Sequence, residues 1–403
     1  MRGVFLLWVI STALSPYVLL AVKSDVVCDA ANAEERLKQL KSIAKMEPVA
    51  GEFRLITCHK PWGKTADWNW DLRIQVLKAC GFTHLSVNVC RGIYAAYDSK
   101  VLKPWPGMAS HGDALELLKI ICAKHGIKLS AWRCCWQTPT WLIEKSDLEQ
   151  LRREGLLAVD SKGNEIAKSV CPSNPTNIKR EIDSLVELSS KGISGIDMDY
   201  IRYPEEDSCY CTFCRQMFEK RLGKNVDNWP DATKNVPEIK REWQRFRMDN
   251  ITRIVRAVGK HVHLMHPEVG VRIYGFQNPV IACETVGQDW PNWCRHGWID
   301  EVLMMDYRDS VERMRRIVNW QRQLDVGSAK LRPLIGPSCW KDVGDDEWRT
   351  ASLIQCVREC GYDGWGIFDL DDRVERICRV LSSGPTRAHD IDLSGVMSGQ
   401  AGR

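Results

Sequence analysis

One arrangement recurs along the chain: a stretch with apolar residues at helical spacing, a stopping glycine, then a short apolar run. Gly81 precedes Phe82–Val89, Gly126 precedes Ile127–Trp132, and Gly192 precedes a strand that begins at Gly195. Gly297 precedes Trp298–Asp306 and Gly361 precedes Tyr362–Asp369. Glycine supplies the left-handed residue that ends a helix, so each marks a helix-to-strand junction. The helical stretches have the matching period. Ala114, Leu117, Leu118, Ile121 and Cys122 share a face behind an Asp113 cap, and Ile178, Ile182, Leu185 and Val186 share one behind Asn177. Phe53–Cys58, Val269–Phe276 and Leu331–Ser338 fill the gaps as further strands. Strands alternating with helices in this number predict an α/β fold, a single-domain (β/α)₈ TIM barrel over residues 49–381.

The strand Gly195-Ile196-Asp197-Met198-Asp199 departs from the pattern, because it carries acids where a buried strand carries Val or Ile. Side chains alternate along a strand, so Gly195, Asp197 and Asp199 share one face and Ile196 and Met198 the other. In a barrel the apolar face meets the helices and the acidic face points inward. Asp199 then sits at the strand's C-terminal end, where barrel enzymes keep their chemistry. By the same strand-end rule Asp306 and Asp369 are expected beside it, facing inward.

Outside the barrel, residues 1–22 read as a signal peptide or an uncleaved anchor, with Arg2 ahead of the apolar run Val4–Val22. This predicts export: a secreted, periplasmic or cell-surface protein. Residues 23–48 form a linker with a charged amphipathic helix, and the Gly/Ser-rich residues 382–403 read as a disordered tail. The net charge of +4 over 403 residues points to neither nucleic acid nor an acidic membrane surface. Membrane contact is expected only if the N-terminal run stays uncleaved. The 17 tryptophans suit sugar stacking and core packing equally. The 17 cysteines are scattered through strands and helices rather than gathered in loops, so most, such as Cys80, Cys90 and Cys122, read as buried apolar fillers.

The strand Gly195–Pro204, with its Asp199-Tyr200-x-Arg202-Tyr203-Pro204 ending, resembles the fourth strand of the glycoside-hydrolase-like family 10 proteins. Ala96-Tyr97-Asp98-Ser99, Lys103-Pro104-Trp105, Ile127–Trp132, Gln288-Asp289-Trp290, Trp293 and Gly297–Asp300 extend the resemblance over most of Phe53–Asp369. Asp197 and Ser130 stand where the family usually has histidines, and Arg133 replaces its usual residue. The resemblance implies a TIM barrel that hydrolyses glycosidic bonds with paired carboxylates and no cofactor. The implied partner is a carbohydrate. Two rival readings remain: a carbohydrate-binding barrel without catalysis, and a metal-dependent hydrolase barrel, the latter disfavoured because no strand end offers His-x-His.

Asp199, Asp306 and Asp369 are the candidate catalytic acids, with Asp306 the favoured partner of Asp199. His59, Trp62, Asn88, Arg91, Trp132, Tyr274 and Tyr307 lie at or beyond other strand ends and are candidate sugar contacts. Arg202 and Tyr203 begin the loop over the site and join them. Asp197 lies one layer below and needs a buried partner, for which Arg272 and Arg133 are the candidates; both Asp197 and Arg133 border the presumed substrate pocket. Tyr200 is expected to point outward by alternation. Cys209-x-Cys211-x-x-Cys214 can hold zinc with a fourth ligand from elsewhere, or form a disulfide with one spare thiol. His261, His263 and His266 precede a strand and so belong to the far end of the barrel.

Overall fold

The computed structural model describes residues 30–340 and 346–387. Eight strands form the barrel: β1 (Phe53–Cys58), β2 (His84–Arg91), β3 (Lys128–Cys134), β4 (Gly195–Asp199), β5 (Gly270–Gly275), β6 (Glu301–Met304), β7 (Lys330–Ile335) and β8 (Gly364–Ile367). Every neighbouring pair is parallel, and β8 returns to β1 to close the sheet. All eight strands fall where the apolar pattern marks them, with β2, β3 and β7 running one or two residues beyond the marked segments. The candidate signal segment, residues 1–22, and tail residues 388–403 lie outside the described residues. Among the described residues no helix is long and apolar enough to cross a membrane.

Local signals account for the joints between elements. Asp113 caps the helix Ala114–His125 by accepting from the Glu116 amide at 2.9 Å, and Gly126 ends it at φ +64°. The helix Pro175–Ser189 starts earlier than expected. Asn174 is its cap, with Pro175 in the first turn, while Asn177 lies buried inside it and donates to the Leu156 and Cys171 carbonyls. Residues 382–387 are not a loose tail. The Thr386 and Pro385 carbonyls accept from Arg54 and Arg358, fastening this stretch near the start of β1.

Alternation divides each strand between two packings. Ile56, Val87, Val89, Ile196, Met198, Val271, Ile273, Val302, Met304 and Ile367 face the helices. Phe53, Leu55, Trp132, Cys134, Tyr274, Leu303 and Leu334 fill the interior. Below them the interior is ionic. The register sets Asp197 beside Arg272, whose Nε donates to Asp197 Oδ1 at 2.7 Å. Ser86 donates to the other oxygen at 2.5 Å. Arg272 also bonds Ser130 and reaches Glu301 at 3.4 Å, and Glu301 in turn accepts from Arg332 Nε at 2.8 Å. Gly195 is required here, because a Cβ would run into the Arg272 guanidinium.

This ladder is testable. Removing one member of a buried pair leaves a stranded charge, costing about 3–5 kcal/mol. Asp197→Ala should therefore lower unfolding free energy by about that amount in denaturant melts; a loss below about 1 kcal/mol, the scale of an exposed pair, would show that the ladder is not a structural requirement.

Candidate active site

β4 ends at Asp199, and its carboxylate is held in place from several sides. Oδ1 accepts from the Tyr200 amide at 2.7 Å and Oδ2 from Trp132 Nε1 at 3.2 Å. Cys134 Sγ lies 3.8 Å from Oδ2. Burial pushes the Asp199 carboxyl above its ordinary range, and the Arg202 guanidinium and the Tyr200 amide oppose the shift without cancelling it. Tyr200 does not face outward. Its backbone enters the left-handed region at φ +55° as the strand ends, which turns the ring against the interior cluster. The Arg202 guanidinium lies 4.6 Å from that ring and 4.7 Å from the Phe276 ring.

Asp369 reaches the same mouth by a different route. Strict alternation would send it outward with Trp365 and Ile367, but β8 stops at Ile367 and the chain leaves the sheet. Asp369 Oδ2 sits 2.8 Å from His59 Nδ1 and 2.9 Å from Lys64 Nζ, while Oδ1 is buried without a partner. The His59 ring is 4.3 Å from Trp132 and 5.0 Å, edge-on, from Phe368. Tyr307 packs 4.7 Å from Phe368 and lies within electrostatic reach of both Asp199 and Asp369.

Asp306 is not part of this group. It shares parity with Val302 and Met304, which face the helices, and the interior-facing neighbours are Leu303, Met305 and Tyr307. Its Oδ1 accepts from Gln321 of the helix Val311–Gln321 at 2.9 Å, and burial pushes its pKa up to about 7. The expected pairing with Asp199 fails because Asp306 keeps the outward parity of Val302 and Met304 past the strand's end.

Four other expected contacts do not project into the cavity. Arg133 turns outward to Glu181, with one bond of 3.0 Å, and to the Gly92 carbonyl. Tyr203 is buried outside the barrel, its hydroxyl 2.6 Å from Ser173 Oγ and accepting from Asn250 at 3.1 Å. Asp197 is sealed in the ionic layer by Arg272 and Ser86, so it supports the site from below rather than touching substrate. Tyr274 is buried 4.8 Å from Trp132, part of the floor. Trp132 itself is fully buried and presents its indole nitrogen to Asp199. Asn88 donates to the Trp132 carbonyl at 3.0 Å and accepts from Arg91, whose Nη1 reaches Gln137 at 2.6 Å.

The rim adds residues that sequence reasoning missed. Trp141 is 61% exposed, with Lys60 4.9 Å and Arg91 5.4 Å from its ring. It continues a line through Trp105 to Trp62, whose Nε1 donates to Gly112. Lys64, Gln137 and Phe368 belong to the same mouth. Trp141 and Lys64 carried no signal beyond lying in loops after strands. His263 pairs with Asp300 at 3.1 Å, at the far end of the barrel. The cysteine triplet gains a fourth member, Cys171, and one ligand atom from each lies within 4.8 Å of the others, a grouping that can hold a metal ion.

The profile of the family described as glycosyl hydrolase-like 10 matches residues 71–333, more than half of the chain. No curated protein matches the sequence. Among solved structures the chain is similar to the catalytic domain of β-amylase from Paenibacillus polymyxa, with TM-score 0.55 and 12% identity, covering 83% of this chain and 94% of that one. It is also similar to β-galactosidase from Bacillus circulans sp. alkalophilus, with TM-score 0.56 and 17% identity over 82% of this chain, but it spans only 55% of that enzyme. A catalytic mutant of a GH42 β-galactosidase from G. stearothermophilus gives TM-score 0.56 and 11% identity, with 85% of this chain and 57% of that chain covered. At these identities the likeness concerns the fold.

The raised Asp306 carboxyl has a pH signature. Between its unfolded pKa, near 3.9, and about 7 the folded state holds a proton that the unfolded state has released. Its contribution to stability therefore falls as pH rises through that window and is flat above it. Asp306→Asn should flatten the pH 4–7 slope of thermal stability relative to the native chain and raise stability at pH 8 by roughly 1–4 kcal/mol. An unchanged slope would show that Asp306 is not buried as described.

Proposed function

The chain belongs to the glycosyl hydrolase-like 10 family, and from that premise we propose that it cleaves glycosidic bonds in a polysaccharide or oligosaccharide, with Asp199 and Asp369 as the working carboxylates. The observation that carries the reading is a pair of acids at one barrel mouth in unlike surroundings, walled by aromatic rings. Glycosidases need one acid to protonate the leaving oxygen and one carboxylate to attack or to activate water, and unlike environments separate the two roles. Asp199, raised by burial, is the proton donor. Asp369, ion-paired with Lys64 and hydrogen-bonded to His59, is the second carboxylate. Arg202, Tyr307 and Arg91 are placed to bind sugar hydroxyls, and Trp141 offers an exposed indole face for a ring C–H surface. The chemistry uses side chains alone. Export of the chain is part of the proposal and rests on the apolar run near the N-terminus.

A second reading, sugar binding without turnover, draws on the depth of the two acids, which are 7% and 6% exposed. Turnover decides between them. Against a panel of polysaccharides and aryl glycosides the native protein should show hydrolysis, and Asp199→Asn and Asp369→Asn should each lose roughly 10²–10⁴-fold in rate with thermal stability retained. Asp306→Asn should keep near-native turnover. Binding with no hydrolysis of any substrate would favour the non-catalytic reading; full activity in either mouth variant would remove that residue from the reaction. Trp141→Ala should raise KM by about 2–10-fold with little change in kcat, the effect of losing one stacked face. An unchanged KM would take Trp141 out of the sugar path.

A further inference from the structure

We propose that Cys171, Cys209, Cys211 and Cys214 bind one zinc ion in a closed, structural site that pins the loop after β4 to the hairpin after β3. The hairpin pairs Leu157–Val159 with Glu165–Val170, and Cys171 follows it directly. Cys209 and Cys211 end the loop that leaves β4, and Cys214 sits in the first turn of the helix Thr212–Leu222. Two chain segments about forty residues apart thus converge on one point. This inference does not depend on the proposed glycosidase reaction.

The geometry favours a metal over disulfides. The Cys171 and Cys214 sulfurs are 3.4 Å apart, those of Cys171 and Cys211 3.7 Å, and all four lie within 4.8 Å of one another. Zinc–sulfur bonds of about 2.3 Å in a tetrahedron place ligand sulfurs about 3.8 Å apart. Two disulfides would hold sulfurs in separate pairs at about 2.05 Å and give no reason for all four to share a centre. Cys171, Cys209 and Cys214 are fully buried. With four thiolates the coordination sphere is complete, leaving no position for substrate or water, the mark of a structural rather than a catalytic site.

The surroundings suit the anionic centre that four thiolates and a dication would make. The Val159 amide donates to Cys209 Sγ at 3.3 Å. Arg247 is buried within electrostatic reach of Cys209, and Arg253 within reach of Cys171. Arg247 donates to the Glu205 and Thr285 carbonyls and stacks 4.5 Å from the Tyr203 ring, while its Nε has no hydrogen-bond partner. A buried guanidinium bonded to carbonyls still needs a negative charge nearby. Glu206 is one such charge within reach, and the four-thiolate centre would add another. Tyr203 and Ser173, joined at 2.6 Å, carry the same attachment from the hairpin side toward Arg202 at the mouth.

The test is metal content in the full chain purified under reducing conditions, read by inductively coupled plasma mass spectrometry. About one zinc per chain is expected, and cobalt replacement should give the intense visible bands of a tetrahedral thiolate site. Cys171→Ser should lose the stoichiometric zinc and open the loop before Cys209 to limited proteolysis, whereas Cys122→Ser, which removes a buried thiol elsewhere, should keep both. Native protein that takes up neither zinc nor cobalt after reduction, or peptide mapping that finds these cysteines joined as disulfides in freshly isolated protein, would overturn the proposal. So would Cys171→Ser retaining the full zinc and cobalt signature. Should Cys171→Ser fail to fold, the cobalt spectrum of the native chain decides alone.

Discussion

The salt bridge between Asp197 and Arg272 is the constraint on which the site rests. Two charges fully out of water are tolerable only when each is matched, and here the matching runs across the barrel through Ser86, Ser130, Glu301 and Arg332. Such a ladder fixes the register of β4 against β3 and β5, because a one-residue slip would turn Asp197 into the helix layer and leave Arg272 alone. Fixing Asp197 fixes Asp199, two residues further on the same face. The absence of a side chain at Gly195 belongs to the same constraint, since the guanidinium occupies that space.

Above this layer the mouth separates two acids by environment rather than by residue type. Asp199 is enclosed by Trp132, Cys134 and the turned-in Tyr200, so desolvation dominates its titration. Asp369 faces a histidine and a lysine from the loop after β1. Trp132 links the two, bonding Asp199 through its indole nitrogen and packing its ring on His59.

The fold was legible because it depends on period: stopping glycines, apolar runs and caps such as Asp113 repeat along the whole chain. Asp199 was legible for the same reason, lying inside a strand whose alternation can be counted. Asp306 and Asp369 lie just past their strands, where alternation holds for one and lapses for the other. The count places Asp306 outward once β6 is seen to keep Val302 and Met304 against the helices, while Asp369 reaches the mouth only because the chain leaves the sheet at Ile367. Tyr200 escapes its parity through a left-handed backbone that nothing in a tyrosine announces. Cys171 could not be joined to the Cys209-x-Cys211-x-x-Cys214 triplet from spacing, because the partnership is made by the fold. Arg133 and Tyr203 read as site residues from their sequence neighbours, yet their side chains serve the helix layer.

The roles of Asp199 and Asp369 are tested most directly by a crystal structure of the Asp199→Asn protein with a hydrolysable oligosaccharide. The expected result is a glycosidic oxygen within hydrogen-bond distance of residue 199, the adjoining anomeric carbon facing Asp369, and a neighbouring sugar ring against Trp141. Sugar bound at the opposite end of the barrel, or along the mouth with its glycosidic linkages turned away from both residue 199 and Asp369, would contradict it.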